Sequence, residues 1–288
     1  MSENNSVSLQ KPSWLKVRVP AAGSGGVRDT VTQNNLHTVC EEAHCPNKSE
    51  CWSRGTATFL ILGATCTRNC AFCAVRSGQP EAVDKSEPRR ILNAVEKMGL
   101  TYLVITSVTR DDLQDGGAGH WCRTLELLRE ELPELKIEVL VPDFAGNREA
   151  WRAVFEMRPD VFNHNIETVA RLYEQVRSGA DYWRSLDFLR AAAAEGLATK
   201  SGVMLGMGEK HQEVEATLKQ LFASGVESLT LGQYLAPSTD HHPVQRWVRP
   251  EEFSDWKEKA LSIGFKHVES APFVRSSYHA EENPAAWI

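Results

Sequence analysis

From about residue 57 the chain alternates between two rhythms. Short apolar, β-rich runs predict strands at 57–62, 101–107, 136–141, 160–165, 199–205 and 227–233. Between them, "EPRRILNAVEKMG", "GHWCRTLELLREEL", "NREAWRAVFEM", "YWRSLDFLRAAAAEG" and "EVEATLKQLFASG" carry apolar residues at helical spacing and often stop at Gly. Strands joined through helices pair in parallel, so six of them predict one parallel sheet, curved or closed. No G-x-G-x-x-G follows any strand, which disfavours an open doubly wound sheet. The expected fold class is therefore α/β, a partial (β/α)6 TIM-type barrel.

Polar and glycine-rich words collect where these strands end: "TSVTRDDLQDGG", "HNIET", "GMGE" and "GQYLAPS". A βα barrel builds its active site at that face. The two ends of the chain break the rhythm. "AAGSGG" is loop-like, and "NNLHTVCEEAHCPNKSECW" is interrupted by Pro and polar residues. "PSTDHHPVQRW" and "PFVRSSYHAEENPAAW" show no core period. Three parts are expected: an N-terminal extension over 1–55, the barrel core over 56–235 and a C-terminal extension over 236–288, both extensions covering the barrel mouth.

Composition narrows the picture. With 288 residues, 42% of them hydrophobic, the chain can bury a core without disulfides. No apolar run approaches the roughly 18 to 20 residues that span a bilayer, so no membrane segment is expected. The opening "MSENNSVSLQKPSW" has neither an apolar signal core nor an Arg-rich amphipathic character, and a cytoplasmic protein is expected. A formal charge of −6 disfavours a nucleic-acid partner. Arg89 and Arg90 read as a solvated helix start.

Cysteine usage changes the picture most. Cys40, Cys45, Cys51, Cys66, Cys70 and Cys73 crowd one short region, and Cys122 lies apart. In a reducing compartment such clustering points to metal or Fe–S ligation, or to redox chemistry. "CTRNCAFC" spaces Cys66, Cys70 and Cys73 as Cys-x3-Cys-x2-Cys directly after the first strand, at the barrel mouth. Three thiolates hold three corners of a 4Fe–4S cube and leave one iron open to a small molecule. A structural zinc site instead closes all four positions. For Cys40, Cys45 and Cys51 three readings stand: a second cluster, a zinc site completed by His37 or His44, or free thiols. Cys122, beside Trp121 in a helical stretch, reads as a small buried hydrophobe. His241 and His242 read as a solvated loop pair.

With Phe72 just before its last cysteine, the first triad resembles the radical S-adenosylmethionine (SAM) superfamily. The resemblance implies that the open iron chelates the methionyl amine and carboxylate. It further implies a 5′-deoxyadenosyl radical that abstracts hydrogen from an unactivated C–H bond. Taken together, "TVCEEAHCPNKSECW", "CTRNCAFCAV", "TSVTRDDLQDGGAGH", "HNIETV", "GQYLAPSTDHHPV" and "RSSYHA" resemble the lipoyl synthase family over residues 38 to 280.

That resemblance implies insertion of two sulfur atoms at C6 and C8 of an octanoyl chain held as an amide on a carrier lysine. The carriers are lipoyl domains of 2-oxoacid dehydrogenase E2 subunits and the glycine cleavage H protein, and the electron donor is a reduced ferredoxin or flavodoxin. By the same resemblance, a second 4Fe–4S cluster on Cys40, Cys45 and Cys51 is expected to supply the sulfur and be consumed. The resemblance implies as its fourth ligand a serine of "RSSY", Ser277 by position in preference to Ser276. Without the resemblance these serines read as loop or capping hydroxyls.

Asn163, Asn165 and Glu167 either hold the cofactor's ribose or amino group or cap a helix starting near Thr168. Gly206 and Gly208 either let the backbone approach the cofactor or only make a turn. Arg275 orients the second cluster or substrate, or makes a surface salt bridge. Two rival classes remain: a non-catalytic Fe–S carrier, and a methylthiotransferase acting on RNA or protein. The polar strand ends count against the first, and the acidic balance without a basic module counts against RNA.

Overall fold

The computed structural model describes residues 10–16 and 25–282. Most of "AAGSGG" and the end of the C-terminal extension, 283–288, lie outside the described residues, as does most of the chain's opening. The N-terminal part contains α1 (Gly25–Gln33), β1 (His37–Thr38), α2 (Val39–Glu42) and α3 (Lys48–Ser53). The repeating core follows with β2 (Thr58–Ile61), α4 (Glu87–Met98), β3 (Tyr102–Ser107), α5 (Ala118–Glu131), β4 (Lys136–Leu140), α6 (Arg148–Glu156) and β5 (Val161–Asn163). It continues through α7 (Tyr173–Val176), α8 (Tyr182–Ala194), β6 (Thr199–Leu205), α9 (His211–Ala223) and β7 (Ser228–Gln233), and closes with α10 (Pro250–Ile263) and β8 (His267–Ser270).

Local chemistry sets these boundaries. Asn147 caps α6 by accepting from Glu149 N and Ala150 N, and Asp181 caps α8 through Arg184 N. Gly99, at φ 61°, ends α4 in the left-handed conformation that a glycine adopts without strain. The eight strands form one sheet in chain order, with β1 antiparallel to β2 and β2 through β8 parallel. The sheet does not close on itself: β1 pairs with β2 and β8 with β7, so the barrel is partial and a seam lies between its first and last strands.

One face of the sheet packs on the helices. Ile105, Ile137, Val139 and Phe162 meet Ile91, Trp121, Trp151 and Phe188 in a core belonging to the β2–β5 side. A second core, around Leu205, Leu218, Leu231, Phe253 and Trp256, belongs to the β6–β8 side. By strand alternation the opposite face is the barrel interior, and it carries a buried polar cluster. There Lys200 Nζ pairs with Glu138 at 2.9 Å, while the Tyr102 hydroxyl and the Asn163 amide donate to the same carboxylate.

Two differences from the sequence reading stand out. The last fifty residues are not without regular structure, because they contain α10 and β8. α10 buries only Phe253, Trp256 and Ala260, a stripe one residue wide, and β8 is a four-residue edge strand with one buried position. Such narrow contacts leave little period to read. The cysteine-bearing N-terminal words likewise hold short elements, α2 and α3, separated by a turn.

Candidate active site

β2 ends where Leu62 and Gly63 both turn to positive φ, 66° and 89°. Leu62 N donates to the buried Glu87 carboxylate at 2.8 Å, and Glu87 also meets His120 Nε2 at 2.7 Å. The chain then enters the loop that carries Cys66, Cys70 and Cys73. Thr109 N and Arg68 N donate to Cys66 Sγ at 3.3 and 3.5 Å, the kind of contact that offsets negative charge on a sulfur. Arg68 forks onto Asp111 and also binds the fully buried Asp143 at 2.7 Å, which is shared with Arg184. Ala71 N donates to Val176 O, tying the loop to α7. Phe72 packs into the β6–β8 core.

The strand-end polar residues divide. Asn163 is fully buried in the barrel interior, bound to Glu138. Asn165 Nδ2 donates to Ser276 Oγ at 2.6 Å, and its carbonyl accepts from Arg177 at 2.8 Å. Its Oδ1 is buried without a partner, as is that of Asn163. Glu167 sits at φ 67° and pairs through its backbone with Gly202 and Met204. Burial pushes its carboxyl up, while Arg177 and Arg275 pull it down. A 3-10 turn at Ala170–Leu172 follows and runs into α7, and neither takes a side-chain cap, so the capping alternative does not hold.

Gly206 and Gly208, at φ 102° and 105°, form the turn after β6, where Glu209 accepts from Gly206 N and Met207 N. A side chain on Gly206 would overlap Gln233 and the Arg246 carbonyl, so protein atoms already fill that direction.

Cys40, Cys45 and Cys51 come from α2, the following turn and α3, and they line one cavity of about 240 Å³. Arg275, Ser277 and Tyr278 line the same cavity; His37 and His44 do not. His37 faces Glu42 instead, at 3.3 Å. The C-terminal segment is tied down at several points. Asn47 Nδ2 donates to Phe273 O at 2.7 Å, Gln233 N to Pro272 O at 3.1 Å, and the Tyr278 hydroxyl to Glu50 at 3.0 Å. Ala280 packs against Tyr102, Val104 and Val161 inside the barrel. Ser276 therefore meets Asn165, while Ser277 faces the cysteine cavity.

The donor sets fit iron–sulfur clusters. Burial pushes the Cys40 thiol up to about 11 and the Cys51 thiol to about 12, and Cys45 is raised too; Cys45 adds to the rise at Cys40, and Cys40 and Cys45 to that at Cys51. Burial likewise raises Cys70 to about 11 and Cys73 to about 12, with Cys66 contributing to both. Cys40 is buried and the other five are half-buried; thiols whose ionisation is disfavoured by burial and by neighbouring sulfurs suit a multivalent cation or cluster, because coordination deprotonates them outright. All seven cysteines are free thiols.

Other residues depart from expectation. His242 is buried, not solvated: its ring donates to Met207 O at 2.8 Å and its backbone N to Ala71 O at 2.7 Å. His241 Nε2 meets Cys73 O at 3.1 Å. Cys122 is half-buried, with its thiol 3.5 Å from Ala153 O between α5 and α6. Sequence reasoning missed Arg177, Asp143 and Gly232. A side chain on Gly232 would overlap Val274 O, and a glycine inside a strand is itself a signal of close backbone approach.

Residues 60–221 match the family described as the radical SAM superfamily. The chain is 52% identical over 275 residues to a lipoyl synthase of Rubrobacter xylanophilus, spanning 94% of this chain and 86% of that protein. It is 53% identical over 279 residues to a lipoyl synthase of Caldicellulosiruptor saccharolyticus, spanning 96% and 98%. The crystal structure of methylornithine synthase superposes with a TM-score of 0.54 at 13% identity, covering 87% of this chain and 83% of that one, a likeness of fold alone.

Proposed function

The chain belongs to the lipoyl synthase family of the radical SAM superfamily, and from that premise we propose how its two cysteine triads divide the work. Cys66, Cys70 and Cys73 hold the 4Fe–4S cluster that binds SAM. Cys40, Cys45 and Cys51, with Ser277 as fourth ligand, hold a second 4Fe–4S cluster. When bound, the first group with SAM supplies a 5′-deoxyadenosyl radical and the second supplies sulfide for C6 and C8 of the octanoyl chain. Those carbons have neither acidity nor a leaving group, so a side-chain acid or base alone has nothing to act on.

The protein's own residues do the positioning. Asn165 and Glu167 would hold the polar parts of SAM, Arg177 steadies the Asn165 carbonyl, and Gly206 and Gly208 shape the turn after β6. Arg275 orients the second cluster or the substrate. Ser277 would offer a hard oxygen to iron that prefers thiolate, and would therefore be the weakest of the four ligands to the second cluster. The acceptor is the octanoyl-lysine of lipoyl carrier proteins, E2 subunits and the glycine cleavage H protein, with a reduced ferredoxin or flavodoxin as electron source. The free thiols and the chain's composition suit a cytoplasmic setting. Among the described residues no helix is long and apolar enough to cross a membrane.

The observation that supports this reading most is that Ser277 lines the same cavity as Cys40, Cys45 and Cys51, more than two hundred residues away in sequence. Anaerobic reconstitution tests it: about eight iron and eight sulfide per chain are expected for two cubanes. Cys70→Ala abolishes deoxyadenosine, whereas the triple Ala variant of the second triad still forms deoxyadenosine and yields no thiolated octanoyl product. Retained SAM cleavage in Cys70→Ala, or thiolation by the triple variant, sinks the division of roles.

A further inference from the structure

The cysteine loop after β2 straddles the two cores of the open barrel. Cys66 packs against the β2–β5 core and takes its sulfur contact from Thr109, which follows β3. Phe72 packs instead into the β6–β8 core. Among the described residues no strand pairing crosses the seam between β1 and β8. Bonds within the loop, Cys73 N to Cys70 O at 3.0 Å and Cys66 N to Arg76 O at 2.8 Å, and the tie of Ala71 N to Val176 O at 2.8 Å set part of the spacing of Cys70 and Cys73 from Cys66; the rest depends on what joins the two sides at the level of the loop.

The chain leaving β7 does so. His242 N donates to Ala71 O at 2.7 Å, and His241 Nε2 lies 3.1 Å from Cys73 O. A carbonyl accepts only, so Nε2 carries the proton; Nδ1 then accepts from Ser238 Oγ at 2.8 Å. The other end of the same dipeptide is anchored on the β6–β7 side. His242 Nε2 donates to Met207 O at 2.8 Å, Tyr234 Oη donates to His242 O at 2.6 Å, and Gln245 N donates to Gly206 O at 2.8 Å. Both histidines spend their ring N–H on main-chain carbonyls, one on each side of the seam.

We propose that His241 and His242 form a strap across the open seam that fixes the Cys70–Cys73 arm relative to Cys66, making them positioning residues for the cluster that binds SAM. The proposal rests on the assignment of Cys66, Cys70 and Cys73 to that cluster. Neither histidine touches the reacting atoms. Their effect passes through the carbonyls of Ala71 and Cys73 to the geometry of the sulfurs.

The test uses the full-length protein, anaerobically reconstituted, and reads the EPR spectrum of the reduced protein with and without SAM, the rate of deoxyadenosine formation, and the iron content. His241 is partly exposed, so His241→Leu should fold and load iron as the parent does. Its SAM-induced EPR change is expected to differ from the parent's, with deoxyadenosine formation down about 10- to 100-fold, as misplacement of a reacting group produces. His241→Gln, which keeps an N–H within reach of Cys73 O, should restore both readouts, and Ser238→Ala should fall between. His242→Leu and His242→Gln form a second pair with the same expected contrast. Parent-like EPR and rate in His241→Leu overturns the strap, as does a Gln variant no better than Leu, or a variant that loses both clusters together with its melting temperature. A parent protein with no SAM-dependent EPR change overturns the cluster assignment itself, separately from the behaviour of the variants.

Discussion

At the scale of single residues, Gly232 decides where the C-terminal tail lies. The Val274 carbonyl occupies the place of a side chain, so Gly232→Ala must push Val274 and Arg275 away from β7. The expected result is a destabilisation of about 1–3 kcal/mol, typical of overpacking, with weakened loading of the second cluster and an intact first one. Thermal melts and iron counts on the triad variants check it. His164 sets an acid limit. It is fully buried between Val141 O and Ser185 Oγ, and burial, with Arg177 nearby, holds it from its ordinary 6.5 down to about 3 despite the opposing charge of Asp143. Between those values the unfolded chain binds a proton that the folded one refuses. Stability therefore falls as pH drops through this window, by up to ~1.4 kcal/mol per pH unit for this one group. Denaturant unfolding of the cluster-free protein from pH 6.5 to 4.5 should show that slope, and His164→Gln should flatten it; an unchanged slope refutes the assignment. The cysteines were legible because their spacing is local. Asp143 and Arg177 were not, because their partners Arg68 and Asn165 are reached only through the fold.

At the scale of elements, the exit from β2 is held by the start of α4. Glu87 accepts both the Leu62 amide and the His120 ring, all in the interior. Glu87→Ala strands two buried donors, each worth about 1–3 kcal/mol, and frees the strand end that leads to Cys66. A fall in the denaturation midpoint and slower loading of the first cluster are expected; Glu87→Gln, which keeps an acceptor oxygen, should lose less. The core strands and helices were readable since each buries several residues at its proper period. β1, β8 and α10 escaped because an edge strand of two or four residues, or a helix with three buried positions, leaves too short a pattern to tell from loop.

At the scale of the whole molecule, two cores, an open seam and two triads imply a separable machine. Ser277→Cys is expected to keep the second cluster and to bind it more firmly, thiolate being the better match for iron, yet to release sulfide slowly. Iron retention after dilution and single-turnover thiolation measure the two effects, and a Cys variant that inserts sulfur at the parental rate removes the labile-corner argument. That the tail would return to the N-terminal cysteines was expected from the word "RSSY" and the family it resembles. Its course past Gly232 and Asn165 to Ala280 inside the barrel was not readable, since it depends on polar and small residues that carry no period.

The tail also puts a clock on biosynthesis. Cys40, Cys45 and Cys51 leave the ribosome more than two hundred residues before Ser277 does. At about 5–20 residues per second, the three thiols wait roughly 10 to 45 seconds for their fourth partner. During that interval they are an accessible trio without the segment that covers them. A nascent chain stalled before residue 277 can already present Cys66, Cys70 and Cys73 in sequence order, but it cannot complete the other site. The triad made first is thus the later of the two to be completed.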